Sequence, residues 1–178
     1  MTSTSRNMER TENPLVSLLR GVSNVLDRVS IYGIVVIMAA MTAIVFTQVF
    51  MRYVLNRSIP WGEEISRDMM IWVCFLGSAV AVKRGGHIGI TFLRDRIPEK
   101  AQVPVGLFVN ICVLIFLGYT TYYGFEMAKN VAIQRAPASR ISMFWPYSSI
   151  PVGCLIMFIH TLANLFERPQ EAGIVSNL

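Results

Sequence analysis

The sequence predicts an all-α integral membrane protein: four transmembrane helices preceded by an N-terminal amphipathic interfacial helix, with both termini in the cytoplasm. Three observations carry this. The 178 residues are 53% hydrophobic and only 15% charged, whereas soluble domains carry about 25% charged residues. The apolar residues gather in four stretches, about 29–53, 61–82, 101–125 and 147–166, each near the roughly 20 residues needed to cross about 30 Å of hydrocarbon. Lys and Arg are also unevenly placed. Four lie in the N-terminal arm (Arg6, Arg10, Arg20, Arg28), five between the second and third stretches (Lys83, Arg84, Arg94, Arg96, Lys100) and one in the tail (Arg168), against five on the other side (Arg52, Arg57, Lys129, Arg135, Arg140). Ten against five, with Arg67 set aside as intrahelical, puts both termini inside. The net charge of +5 thus reports membrane orientation, and nucleic acid is not an expected partner.

Residues 1–13 are polar and expected to be disordered. From Pro14 to residue 28 the pattern becomes amphipathic. Leu15, Leu18, Leu19, Val22, Val25, Leu26 and Val29 keep helical spacing, while Ser17, Arg20, Ser23, Asn24 and Asp27 take the other face. Such a helix lies in the membrane interface; a plain extension of the first span is the alternative. The charge-free run from Val29 to Met51 is too long for a signal core, and Arg52 stops it, so it is an anchor. Gln48, its one strongly polar side chain, calls for an interhelical hydrogen bond or a water-facing position.

The second span is the unusual one. Met69 to Val82 is free of charge but is only fourteen residues long, so the helix must start near Trp61 and must include Glu63, Glu64, Arg67 and Asp68. Ionisable groups inside a membrane helix face protein or water and mark function. On a helical wheel these four form one ionic face, and Trp61, Ile65, Met69 and Trp72 form a facing one compatible with lipid. Glu63 and Arg67 are an i,i+4 pair, which leaves a surplus of carboxylate. We read Trp61, Glu63, Glu64, Arg67 and Asp68 as a polar joint to another subunit. Arg52, Tyr53, Lys83, Arg84, His87, Trp145 and Tyr147 are read as interfacial anchors.

Residues 83–100 form the inner connection, with Gly85-Gly86 ending the helix and His87 a surface or capping residue. Asn110 is a mid-span amide suited to an interhelical hydrogen bond, Tyr119, Tyr122 and Tyr123 make an aromatic belt, and Glu126 is placed to pair with Lys129. The longest outer connection, residues 130–146, carries Pro137 and Pro146 and should be rigid. Pro151 falls near the first turn of the fourth span, where its missing N–H is tolerated. His160, mid-helix, reads as a hydrogen-bonded packing residue. Cys74, Cys112 and Cys154, each in a different span and without a CxxC pair, read as buried small apolar residues. An enzyme or redox carrier on this scaffold would need axial histidine pairs or paired cysteines, and the sequence has neither. Residues 29–166 thus make one membrane domain, and 167–178 a cytoplasmic tail.

With Phe50-Met51-Arg52-Tyr53, Trp61-Gly62-Glu63-Glu64 with Arg67, Trp72 with Phe75-Leu76-Gly77, Arg84, His87-Ile88-Gly89-Ile90, Pro98, Pro137 and Tyr147 to Pro151 in this order, the chain resembles the small membrane subunit, the Q or DctQ-type subunit, of tripartite ATP-independent periplasmic (TRAP) transporters. The resemblance spans about residues 23–166. It implies a non-catalytic small permease subunit in the bacterial inner membrane, without a cofactor of its own. A large TRAP membrane subunit would move an organic acid anion on a sodium gradient and hold the sodium ions, a periplasmic substrate-binding protein would deliver the anion, and this chain would scaffold the large subunit within the lipid bilayer. The competing readings are a self-sufficient small exporter using Asp68 or Glu64, and a membrane assembly or regulatory protein.

Overall fold

The computed structural model describes residues 14–84 and 99–175, with side-chain surroundings for 16–84 and 104–165. The described chain is helical, with four helices: α1 (Pro14–Val54), α2 (Pro60–Lys83), α3 (Glu99–Asn130) and α4 (Phe144–Val175). All four contain segments long and apolar enough to cross a membrane. The disordered tail expected at 1–13 and the anchor His87 lie outside the described residues.

Proline sets the start of α2: Pro60 opens it after an extended Ile59 (φ −113°, ψ 90°), a position where the missing N–H and the fixed φ both suit a helix. Between α1 and α2 Asn56 takes φ 48° and Arg57 N–H donates to Met51 O at 3.1 Å, reversing the chain in five residues. Asn is among the few residues that accept this left-handed conformation cheaply. The interfacial segment and the first span are not separate helices. Residues 14–54 form one unbroken helix, about 60 Å long at 1.5 Å per residue, which is about twice the hydrocarbon thickness.

The first turn of α4 also begins earlier than the sequence suggests. Phe144 N–H is accepted by Ser142 Oγ at 3.2 Å, so Pro146 sits in the first turn and Pro151 two turns in rather than near the start. Ser148 and Ser149 turn their hydroxyls back onto Trp145 O and Pro146 O at 2.7 and 2.6 Å, satisfying carbonyls in this proline-rich turn. At its other end α4 continues to Val175, past the Phe166 boundary.

The hub is α4. It packs against each of the other three helices, α1 also packs on α2, and the packing of α3 is chiefly against α4. Half of the spanning window of α4 is buried, against 6–11% of the windows of α1, α2 and α3. The core is Leu76, Ala79 and Ile156, with Leu26, Ile37 and Trp72 closing around it. Gly153 lets α4 approach α2. A Cβ at this position would lie 2.6 Å from Phe75 Cβ, an atom that moves only with the backbone, whereas a Cβ at Gly62 would meet the flexible end of Gln48 at 2.8 Å. Gly153→Ala is therefore expected to destabilise the chain by about 1–3 kcal/mol despite the better helix propensity of Ala, and Gly62→Ala to be near neutral. Thermal denaturation of the two variants in detergent checks this contrast.

The assignment of faces on α2 is reversed relative to the sequence reading. Ile65, Met69 and Trp72, expected toward lipid, are partly buried in the bundle, and Trp72 Nε1 donates to Trp145 O at 3.1 Å. The indole N–H needs an acceptor, and the irregular start of α4 offers one. Of that apolar set Trp61 alone is open, at 49% exposure. Two of the three cysteines, Cys74 and Cys112, are exposed rather than buried; Cys154 is buried. Lys129 Nζ lies 4.5 Å from the Phe125 ring centroid in place of the expected pairing with Glu126. Asn110 is buried, and the belt tyrosines stack on one another, Tyr119 on Tyr123 at 4.3 Å and Tyr122 on Tyr123 edge to face.

Candidate functional site

The α3–α4 connection forms a tight hairpin, which brings its tip over the start of α2. Arg135 and Ser142 pair as an antiparallel bridge. Ala136 N–H donates to Ile141 O at 2.9 Å and Met143 N–H to Gln134 O at 2.9 Å. The turn closes through Arg140, whose φ of 59° is left-handed. Ser142 Oγ–H reaches back to Ala132 O at 2.7 Å. The tip residues Ala138 and Ser139 then point two successive backbone N–H groups at one carboxylate oxygen, Glu64 Oε2, at 3.2 and 2.7 Å. Two amides converging on an ionised oxygen form a strong, charge-assisted clamp. Glu64 is buried, and its charge is used within the chain.

The rest of the sequence-predicted joint is divided by this arrangement. Glu63 and Arg67 are exposed on α2, Asp68 is half-buried, and Trp61 is exposed beside Gly62, which packs on Gln48. Gln48 itself reaches Ile59 O only at 3.5 Å. Arg52 and Tyr53 are exposed at the end of α1, and with Gln48, Val49 and Glu63 they line a shallow groove between α1 and α2. Of the other anchors, Trp145 and Arg84 are exposed and Tyr147 is partly buried.

At the opposite end of α2 there is a second polar cluster, which the sequence reading did not assemble. Lys83 Nζ donates to Ser23 O at 3.0 Å and to Asn24 Oδ1 at 2.8 Å, and lies 3.7 Å from Asp27 Oδ2. Its ammonium is taken up by α1 instead of reaching for headgroups. Ser23 Oγ shares a 2.8 Å hydrogen bond with His160 Nδ1, and both side chains are buried. This bears out His160 as a hydrogen-bonded packing residue. Asn164 Nδ2 adds a bond to Val82 O at 3.2 Å. The polar face of the 14–28 segment is thus turned toward α2 and α4, and its apolar residues Leu18, Val22, Val25 and Val29 are the exposed ones. The signal was present as Ser23, Asp27 and Ser30 at helical spacing, at the same end as Lys83 and His160.

Each cluster therefore ties helices of this chain together. This defines a multi-pass helical membrane protein with two internal polar fastenings. Residues 41–171 match the family model for the DctQ component of tripartite ATP-independent periplasmic transporters. The chain is 32% identical over 152 residues to the sialic acid TRAP transporter small permease protein SiaQ of Vibrio cholerae, covering 85% of this chain and 86% of that one. It is 33% identical over 150 residues to the C4-dicarboxylate TRAP transporter small permease protein DctQ of the same organism, covering 82% and 60%. It is also 26% identical over 118 residues to the sialic acid TRAP transporter permease protein SiaT of Haemophilus influenzae, 66% of this chain but only 19% of that much longer one. The chain belongs to the DctQ-component family of TRAP transporters, the small permease proteins.

Proposed function

We propose that this chain is the non-catalytic small subunit of a sodium-gradient-driven TRAP transporter importing an organic acid anion. It scaffolds a large membrane subunit, and both of its termini face the cytoplasm. The observation that carries the reading is the partial match to SiaT. A segment similar to this chain fills about a fifth of that permease, so there it shares a polypeptide with a far larger membrane protein. In a small permease protein such as SiaQ, of which this chain covers 86%, the same association becomes a contact between subunits. The unbroken course of the four helices supports a scaffold role, since ion-coupled carriers place substrate at discontinuous helices near the midplane. With the termini inside, the hairpin held by Glu64 lies on the outer side, where it helps dock the periplasmic binding protein.

Tagged chain purified from native membranes is expected to bring a large TRAP permease with it, and deleting the chain to abolish uptake of the anion. Recovery of the chain alone, with uptake unchanged on deletion, would overturn the reading. An exporter built on Glu64 is disfavoured because that carboxylate is already held by two backbone amides.

A further inference from the structure

From residue 63 to residue 81, every exposed position of α2 falls on one face: Glu63, Arg67, Met70, Cys74, Ser78 and Ala81. At 3.6 residues per turn these six lie within about 80° of one another. The other two faces of α2 are covered by α1 and α4. Accepting the small-subunit reading above, we infer that this open face is the seam against a transmembrane helix of the large subunit.

Composition, depth and symmetry favour a helix of another protein over lipid or a second copy of this chain. Most exposed positions of α1 and α3 are large and apolar, for example Val36, Phe46 and Phe50 on α1 and Phe108, Ile115 and Phe116 on α3, although Ala39, Thr42, Ala43 and Thr47 are exposed among them. The open face of α2 carries one large apolar residue, Met70, beside two charges, a hydroxyl, a thiol and a methyl. Small residues at a membrane helix surface permit close approach by another helix. Gly77 borders the face, and a Cβ there would meet nothing within 4 Å, so the packing of this chain does not require glycine at that position.

Depth supplies the second argument. The 24 residues of α2 extend about 36 Å, some 6 Å more than the hydrocarbon. With the helix centred, Arg67 starts about 7 Å inside the apolar layer. An exposed guanidinium at that depth is expensive unless it is paired. No ion pair or hydrogen bond joins Arg67 to a described residue, although Glu64 and Asp68 both lie close enough to act on it through space.

Symmetry supplies the third. A second copy related by a two-fold axis along the membrane normal would bring each residue to its own depth on the partner. Glu63 would then face Glu63, and Arg67 would face Arg67. A different helix, with an acceptor opposite Arg67 and a donor opposite Glu63, avoids that repulsion.

The two exposed cysteines make a test that needs no mutation. Cys74 is on the open face of α2 and Cys112 on α3. Alkylation of each by N-ethylmaleimide is followed by mass spectrometry in the chain alone and in the chain co-purified with its large subunit. The inference predicts that Cys74 reacts about tenfold more slowly in the complex while Cys112 keeps its rate, because access governs thiol alkylation. Protection of Cys112 but not Cys74 would place the partner on α3 and overturn the assignment of the seam, leaving the small-subunit reading intact. Equal rates for both thiols in the two samples would overturn it as well. Protection of Cys74 in a self-associated form without the large subunit would assign the face to a second copy. Failure of any large subunit to co-purify would overturn the seam and the small-subunit reading together. As an independent check, Arg67→Gln is expected to lower recovery of the large subunit several-fold while the thermal stability of the isolated chain changes little, since Arg67 makes no ion pair or hydrogen bond with a described residue.

Discussion

Lys83→Met is expected to destabilise the chain by about 2–3 kcal/mol, because removing one member of a buried ion contact leaves the other charged and uncompensated. Lys83 Nζ serves Ser23 O, Asn24 Oδ1 and Asp27 Oδ2 together, and the Lys83 and Asp27 side chains are only 19% and 16% exposed. Met keeps the aliphatic stem, so the loss isolates the ammonium. The expected value lies below the range of about 3–5 kcal/mol for fully buried pairs because both side chains are only partly buried and the Asp27 contact, at 3.7 Å, is long. The double variant Lys83→Met, Asp27→Leu removes both charges and should recover most of the loss. Denaturation of the wild type, Lys83→Met, Asp27→Leu and the double variant in mixed micelles measures the cycle. A double variant no more stable than Lys83→Met would show that the cluster is held by something other than this contact. The neighbouring Ser23–His160 bond should show a smaller coupling of about 0.6 kcal/mol, the average for hydrogen bonds between membrane helices.

Glu64→Ala is expected to release the hairpin while leaving the helices assembled. The N–H groups of Ala138 and Ser139 lose their shared acceptor, and the tip is no longer held to α2. Arg135 and Arg140 are exposed on the hairpin, so trypsin reports directly on its opening. Cleavage in the 131–143 segment should accelerate about tenfold, since proteolysis follows the population of the open form. Glu64→Gln keeps an oxygen acceptor without the charge and should fall between the wild type and Glu64→Ala. Glu63→Ala, one residue away but facing outward, should leave the cleavage rate unchanged.

The contrast between Glu63 and Glu64 shows what the sequence made legible and what it did not. The number of spans and the family motifs were readable because they depend on local composition and order. The charges at the start of α2 were also readable as unusual for a membrane helix. Their division was not, because the partner of Glu64 is a pair of backbone amides some 75 residues away, and amide positions in a hairpin leave no mark in the sequence. The faces of α2 were reversed for a related reason. Apolarity placed Trp72 toward lipid, but inside a bilayer apolarity does not distinguish lipid from the protein interior, and the indole N–H bond to Trp145 O decides between them. The cluster around Lys83 was missed because a basic residue at a helix end suits the leaflet equally well. Only the placement of Ser23 and Asp27 against α2 and α4 reveals its use as a fastening.

The central claim is that the chain contributes to transport by holding a larger membrane subunit, and reconstitution tests it most directly. The large subunit is incorporated into liposomes with and without this chain, and uptake of the labelled organic anion is measured with the binding protein added and an inward sodium gradient imposed. The account predicts uptake when both membrane subunits are present and none with either alone. Transport by this chain alone, or full activity of the large subunit without it, would contradict the account.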